Sequence, residues 1–207
     1  MSARRSSATG RRRRRRTPEV AEQEILKAAE GLLRERPFRE LTVDEVMRRT
    51  ELSRPSFYVY FRDRHHLILR IVERLAGEQQ DIADLWYGRE GTGPEQIREA
   101  VSAVVAIWKR DGALFHALAD AAADDPDVEL AHRSLMDASI DAAARHIEAE
   151  MAAGTILKVD AWETARALAL MTDRYLIAVL GRDPVVEPAV VIEVVSTIWI
   201  RTLYGDR

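Results

Sequence analysis

Apolar positions recur at spacings of three and four along most of the chain and show no strand-like alternation, so the pattern predicts helices only. From Glu19 to Arg36, the residues Ile25, Ala28, Ala29, Leu32 and Leu33 form one stripe, and Pro37 stops the helix. Phe38 and Leu41 add to the same small core. Thr42 followed by Glu45 has the spacing of a capping box. A short helix therefore starts near Val43, buries Val43, Val46 and Met47, and runs out at Thr50. Ser53 then caps a second short helix, Arg54 to Tyr60, with Pro55 in its first turn, where a missing N–H costs nothing. Two short helices on a tight turn predict a helix-turn-helix.

Asp63 caps the next helix, Arg64 to Trp86, in which Leu67, Ile68, Ile71, Leu75 and Ile82 share a face. Its length makes it a lever between the small head and a larger body, and the stretch from Gly88 to Pro94 breaks it. In the body, Val101, Val104, Val105 and Trp108 form a stripe that Asp111-Gly112 ends, and Leu114, Phe115 and Leu118 belong to a separate helix before Pro126. An alanine-rich helix from Val128 to Met151, closed by Gly154, carries Leu135, Met136, Ile140 and Ile147. Asp160 caps another, with Trp162, Ala165, Leu168, Ala169, Thr172, Leu176 and Val179 inward, ended by Gly181 and Pro184. The last helix is apolar nearly all round: Val191, Val194, Val195, Ile198 and Trp199 on one side, Val190, Ile192, Ile200 and Leu203 on the other. Such a helix is buried on more than one side, which predicts a homodimer packed through the last two helices. The pattern gives about nine helices.

The second short helix has a split face. Phe57 and Phe61, four apart, point inward, leaving Arg54, Ser56, Tyr58 and Tyr60 outside. Arginine can fork onto guanine in the major groove, and hydroxyls suit base edges or phosphate oxygens. Arg64, in the first turn of the next helix, is expected beside the DNA backbone. Read alone, this aromatic cluster fits a small core equally well; the coincidence of two caps, a turn and basic flanks favours DNA.

Charge strengthens that reading. The net charge of −3 conceals +8 over residues 1–70 and −11 over residues 71–207, a basic head on an acidic body. Six consecutive arginines, Arg11 to Arg16, lie in a Ser- and Arg-rich start that self-repulsion keeps unstructured in isolation. It reads as an arm following the phosphate backbone or entering a minor groove, or as a solubilising tail. No apolar run follows it, and none elsewhere reaches membrane-spanning length, so neither export nor a membrane partner is expected. The absence of cysteine excludes disulfides and thiolate metal sites and agrees with a cytoplasmic location.

The chain offers little enzyme chemistry. Glu129 and His132 have the Glu-x-x-His spacing of di-iron bundles, but such sites need a second motif and two more glutamates. His65-His66 at a helix start reads as polar filler or a phosphate contact. Nucleophile elbows, phosphate-binding glycine loops and zinc-protease motifs are missing. No cofactor, no metal and no catalytic residue are expected.

The run from Ser53 through Phe61, with Arg64 and Leu67, resembles the DNA-binding signature of the TetR family of bacterial regulators, and the likeness recurs in Leu168 to Met171, in Asp173-Arg174, and in Ile198-Trp199 through Tyr204-Gly205. It is similar to the ethionamide-resistance-regulator branch of that family. One departure is Glu51, where the family often has glycine; holding it at positive φ would cost about 1 kcal/mol. The resemblance implies a DNA-contacting set of Thr42, Arg54, Pro55, Ser56, Tyr58, Tyr60 and Arg64. It also implies a tubular apolar pocket walled by Trp108, Phe115, Met136, Met171, Thr172, Tyr175 and Trp199. Composition alone fits a filled core as readily as a pocket. The branch has ligand-facing asparagines where this chain has Ala169 and Thr172, so the ligand is not assumed to be the same.

The expectation is thus an all-α protein with an arginine-rich arm over residues 1–18, a helix-turn-helix domain over 19–65, and a ligand-binding and dimerisation domain over 66–207. Its expected partners are a palindromic double-stranded DNA operator, a hydrophobic small-molecule effector and a second copy of itself. The competing class is a helical ligand-binding or scaffold protein without operator binding, with a helical-bundle enzyme behind it.

Overall fold

Helix starts follow the caps and prolines of the sequence closely. The computed structural model describes residues 17–87, 93–181 and 183–205, with side chains described except over 78–87. Within them lie α1 (Pro18–Glu35), a 3-10 turn (Phe38–Glu40), α2 (Val43–Arg48), α3 (Arg54–Tyr60), α4 (Arg64–Tyr87), α5 (Gly93–Ala122), α6 (Pro126–Ala152), α7 (Ala161–Leu180) and α8 (Pro188–Tyr204). Thr42 accepts from the Glu45 amide, Asp125 from Asp127 and Val128, and Asp160 from Glu163, while Pro18, Pro55, Pro126 and Pro188 sit in first turns. The all-α architecture is the expected one. The arginine-rich arm, and the side chain of the expected inward position Ile82, fall outside what is described.

Two expectations are corrected. The helix break at Asp111-Gly112 does not occur: α5 is continuous from Gly93 to Ala122, which reduces nine expected helices to eight. A glycine inside a helix costs about 1 kcal/mol relative to alanine, but here it permits a close crossing. A Cβ at position 112 would lie 2.0 Å from the Leu180 carbonyl oxygen, where α7 ends. Asp111, the other presumed breaker, is a buried charge-pairing residue. The second correction is Trp162, placed inward by its spacing but 43% exposed. Ala161 and Ala165 already hold the buried face in the first turns of α7, and Trp162 lies at the edge of that face.

The head packs α1, α2 and α3 around Ile25, Leu33, Phe38, Val46, Phe57 and Phe61, and the start of α4 closes it with Leu67, Ile68 and Ile71. That core continues without a gap into the body, where α6 lies along α7, α5 along α8, and α4 against both α5 and α6. At the far end Tyr204 donates to Glu150 at 2.9 Å and Thr155 donates to the same carboxylate at 2.6 Å, tying α8 to the end of α6. Burial, and then the bond to Glu150, raise the Tyr204 phenol well above its ordinary range. One face of α8 stays uncovered: Val190, Val194 and Ile198, at four-residue spacing, are 51%, 38% and 38% exposed.

Candidate nucleic-acid interface and effector region

The two short helices are set by local hydrogen bonding. Thr42 accepts from the Glu45 amide at 3.3 Å and donates to the Glu45 carboxylate at 2.8 Å. Glu45 also pairs with Arg36, the residue that follows α1. The Thr42 hydrogen bond, assisted by Arg36, holds the Glu45 carboxyl below its usual range. Arg49 likewise pairs with Glu35, anchoring the end of α2 to α1. The turn that follows needs no glycine: among described residues only Gly154 and Gly205 take positive φ. Instead Thr50 donates to the Met47 carbonyl at 2.9 Å and accepts from the Leu52 amide at 3.2 Å, while the Glu51 amide donates to Glu24 at 2.8 Å. The departure at Glu51 is accommodated by a differently closed turn.

Phe57 and Phe61 are buried as expected, with centroids 5.3 Å apart. Arg54, Pro55 and Tyr58 are exposed and Ser56 is partly so. Val59, which the sequence reading passed over, is 75% exposed on the same helix. Its signal was helical phase, one turn on from Pro55. An exposed apolar side chain there suits a thymine methyl. Tyr60 differs from expectation, since it is half-buried and packs on the core. Ser53 takes the N-cap position, but its hydroxyl lies 3.0 Å from the Ser56 hydroxyl rather than on a backbone amide. Arg64 also differs: its Nη1 donates to the carbonyls of Phe38, Arg39 and Leu41 at 3.2–3.4 Å, with the guanidinium 4.8 Å from the Phe38 ring centroid. It is an internal brace for the 3-10 turn that leads into α2.

Head and body meet through charges. Asp111 of α5 is 1% exposed and accepts from Arg34 of α1 at 2.8 Å and from Arg110 at 2.7 Å, with Arg74 of α4 at 3.8 Å. Arg74 bonds Glu30 of α1 as well, at 3.1 Å. One buried carboxylate therefore joins the first helix, the lever and the body. His65 lies 3.7 Å from Asp125, the cap of α6, and 5.2 Å from Phe38. His66 accepts from the Arg62 amide at 3.1 Å, so both histidines organise the start of α4. Glu129 pairs with Arg133 at the surface rather than with His132, and the described residues hold no group of three or more metal-ligating side chains.

Four of the seven residues expected around an effector fall into two contacts. Trp108 and Phe115, both buried on α5, stack at 4.6 Å with ring planes 20° apart. Trp199 of α8 donates its indole N–H to the Thr172 hydroxyl of α7 at 3.0 Å. That hydroxyl keeps its own proton to offer a ligand. Ala169 lies one turn before it and is buried; Met171 and Tyr175 pack against the core, and Met136 of α6 is half-buried. Asp173, beside Thr172, was named for family likeness but not as a site residue: burial raises its carboxyl above the usual range, outweighing the opposing pull of His132 and Arg174. Its sequence signal was a charge one turn from Ala169 on an apolar stripe.

A trihelical reading head joined by a long helix to an α-helical body defines the class, and comparison with known proteins agrees. Residues 25–71 match the family of bacterial regulatory proteins, tetR family, and residues 97–205 match the C-terminal domain of the transcriptional regulator EthR. The chain belongs to the TetR family and is a DNA-binding transcriptional regulator, not an enzyme. It is similar to the HTH-type transcriptional regulator EthR of Mycobacterium tuberculosis, 30% identical over 203 residues that span 96% of this chain and 94% of that one. EthR of Mycolicibacterium smegmatis is 28% identical over 199 residues, spanning 95% and 92%. Among solved structures, a transcriptional regulator of Pseudomonas aeruginosa superposes with TM-score 0.75 at 12% identity, covering 91% of this chain and 92% of its own. FadR of Bacillus subtilis, in complex with stearoyl-CoA, superposes with TM-score 0.71 at 13% identity, covering 89% and 99%. Regulators of this family bind operator DNA, dimerise and answer small-molecule effectors. Among the described residues no helix is long and apolar enough to cross a membrane.

Proposed function

We propose that this regulator is a cytoplasmic repressor that holds a palindromic operator as a dimer and releases it when an apolar small molecule enters the body. The observation that carries the reading is the exposed Arg54, Pro55 and Tyr58 on a helix anchored by Phe57. In a helix-turn-helix the second helix enters the major groove while the first crosses the backbone. Arg54 and Ser56 then read bases, Pro55 and Val59 pack beside them, and Tyr58, with the edge of Tyr60, meets phosphate. Thr42 places the N-terminus of α2 at the backbone, and Arg64 holds the turn before it. Arg54→Ala should cost about 1 to 3 kcal/mol on the operator and relax one position, whereas Arg64→Ala should weaken all sequences alike. Fluorescence anisotropy on operator and random duplexes separates the two; equal loss on both duplexes for Arg54→Ala would sink the assignment.

The dimer seam follows from the uncovered stripe on α8. Val190, Val194 and Ile198 form an exposed apolar stripe on α8 that a second copy covers, and Leu170 and Trp162 are exposed on α7. Two reading helices then sit about 34–36 Å apart, or a multiple of that spacing. Val194→Arg places an unpaired charge in the seam and should give monomers with little operator affinity. A variant still dimeric in analytical ultracentrifugation would show that another surface is used.

The effector acts by preference between states. It must bind the DNA-incompetent spacing more tightly than the competent one, since equal affinity for both shifts nothing. A ligand between Trp108, Phe115 and Trp199, hydrogen-bonded to Thr172, would displace α5. The displacement reaches the head through Asp111 and α4.

A further inference from the structure

Arg54 does not stand alone on the reading face: its Nε lies 3.1 Å from the Asp44 carboxylate of α2, and the two side chains are 60% and 58% exposed. We propose that Asp44 is a positioning residue for base reading, which holds Arg54 by Nε so that its two terminal nitrogens point outward as a fork for guanine. This rests on the assignment of Arg54 as a base reader. An exposed pair of this kind contributes little to stability, and a carboxylate on the helix that crosses the backbone opposes phosphate on every sequence. What the contact supplies is geometry. Arginine recognises guanine through two parallel N–H groups in a fixed plane, and a free arginine must give up rotamer freedom to present them. Asp44 imposes that order before DNA arrives.

The backbone placement of both residues is set by local hydrogen bonds. Asp44 lies in the first turn of α2, fixed by the Thr42 cap, and Arg54 opens α3. The turn between them is closed by the Thr50 hydroxyl. Asp44 thereby sacrifices affinity common to all DNA for discrimination at one base pair, the trade by which specificity is gained through a repulsive element.

The test uses the full-length protein and a library of random duplexes, from which the wild type selects its preferred sequence. Wild type, Asp44→Asn, Arg54→Ala and the double variant are then compared on that duplex, on single-base variants of it and on random duplex. Asp44→Asn should lower discrimination at the Arg54-dependent position about tenfold, leave other positions unchanged, and tighten binding to random duplex. In the Arg54→Ala background the same change should not alter discrimination at all. The proposal is overturned if Asp44→Asn sharpens that position, which would make Asp44 a competitor for Arg54. It is also overturned if Asp44→Asn weakens every duplex equally, or acts the same with Arg54 absent. If Arg54→Ala alone relaxes no position, the base-reading assignment falls and takes the role of Asp44 with it. If Arg54→Ala relaxes one position and Asp44→Asn does not, only the role of Asp44 falls.

Discussion

Asp111→Ala is expected to lower stability by about 1.5–3 kcal/mol, the contribution of hydrogen bonds to a charged group. The larger cost of stranding a buried charge does not arise, because the groups left behind keep water: Arg34, Arg74 and Arg110 are 41%, 38% and 55% exposed, against 1% for Asp111. For a chain of this size that corresponds to a fall in Tm of roughly 3–12 °C. Arg34→Ala should cost less than half as much, since Asp111 keeps Arg110 and Arg74. Urea unfolding of the three proteins gives the ordering directly. The same substitution should also weaken communication, because Asp111 is the body's charged contact with both α1 and α4. Any effector should then change operator affinity less in Asp111→Asn, a variant of nearly equal shape, than in the wild type. Equal stability of wild type and Asp111→Ala would show that the cluster is surface decoration.

Glycine substitutions in two helices should have opposite signs. At Gly112 an added Cβ would lie 2.0 Å from the Leu180 carbonyl oxygen, and the neighbour is backbone, which cannot swing away. Overpacking of this sort costs about 1–3 kcal/mol or more, which outweighs the roughly 1 kcal/mol alanine gains over glycine in a helix. At Gly77 in α4 a Cβ meets nothing within 4 Å. There only the helical gain remains, so Gly77→Ala should stabilise by up to about 1 kcal/mol. Thermal unfolding of the pair decides the matter. Stabilisation by both substitutions would mean that α5 and α7 do not cross closely at Gly112.

The sequence was most legible where structure is decided locally. Thr42, Asp63 and Asp160 cap the helices they were expected to cap, because a capping bond joins residues only three apart. Phe57 and Phe61 face inward for the same short-range reason of helical phase. What failed required distant partners. Asp111-Gly112 carries the local signature of a helix end, and only the carbonyl of Leu180 and the guanidinium of Arg34 reveal a crossing and a buried charge instead. Arg64 was sent toward DNA by its place after a cap, whereas the carbonyls that hold it come from the Phe38–Leu41 segment more than twenty residues earlier. Asp44 and Arg54 are ten apart and on different helices, so no periodicity could link them. The effector residues were legible through resemblance alone, since Trp108 stacked on Phe115 fills a core by the same chemistry with which it would line a pocket.

The measurement that tests the account most directly is operator affinity with and without a bound apolar ligand. A panel of apolar compounds is titrated while tryptophan fluorescence and anisotropy of a labelled operator duplex are followed together, with random duplex as control. Compounds that alter the fluorescence, and whose effect is lost on narrowing the body with Ala169→Phe, should weaken operator binding at least about tenfold, a coupling of about 1.4 kcal/mol. They should change binding to random duplex far less. Ligands that bind the wild-type body in this way yet leave operator affinity unchanged would contradict the coupling between body and head on which the account rests.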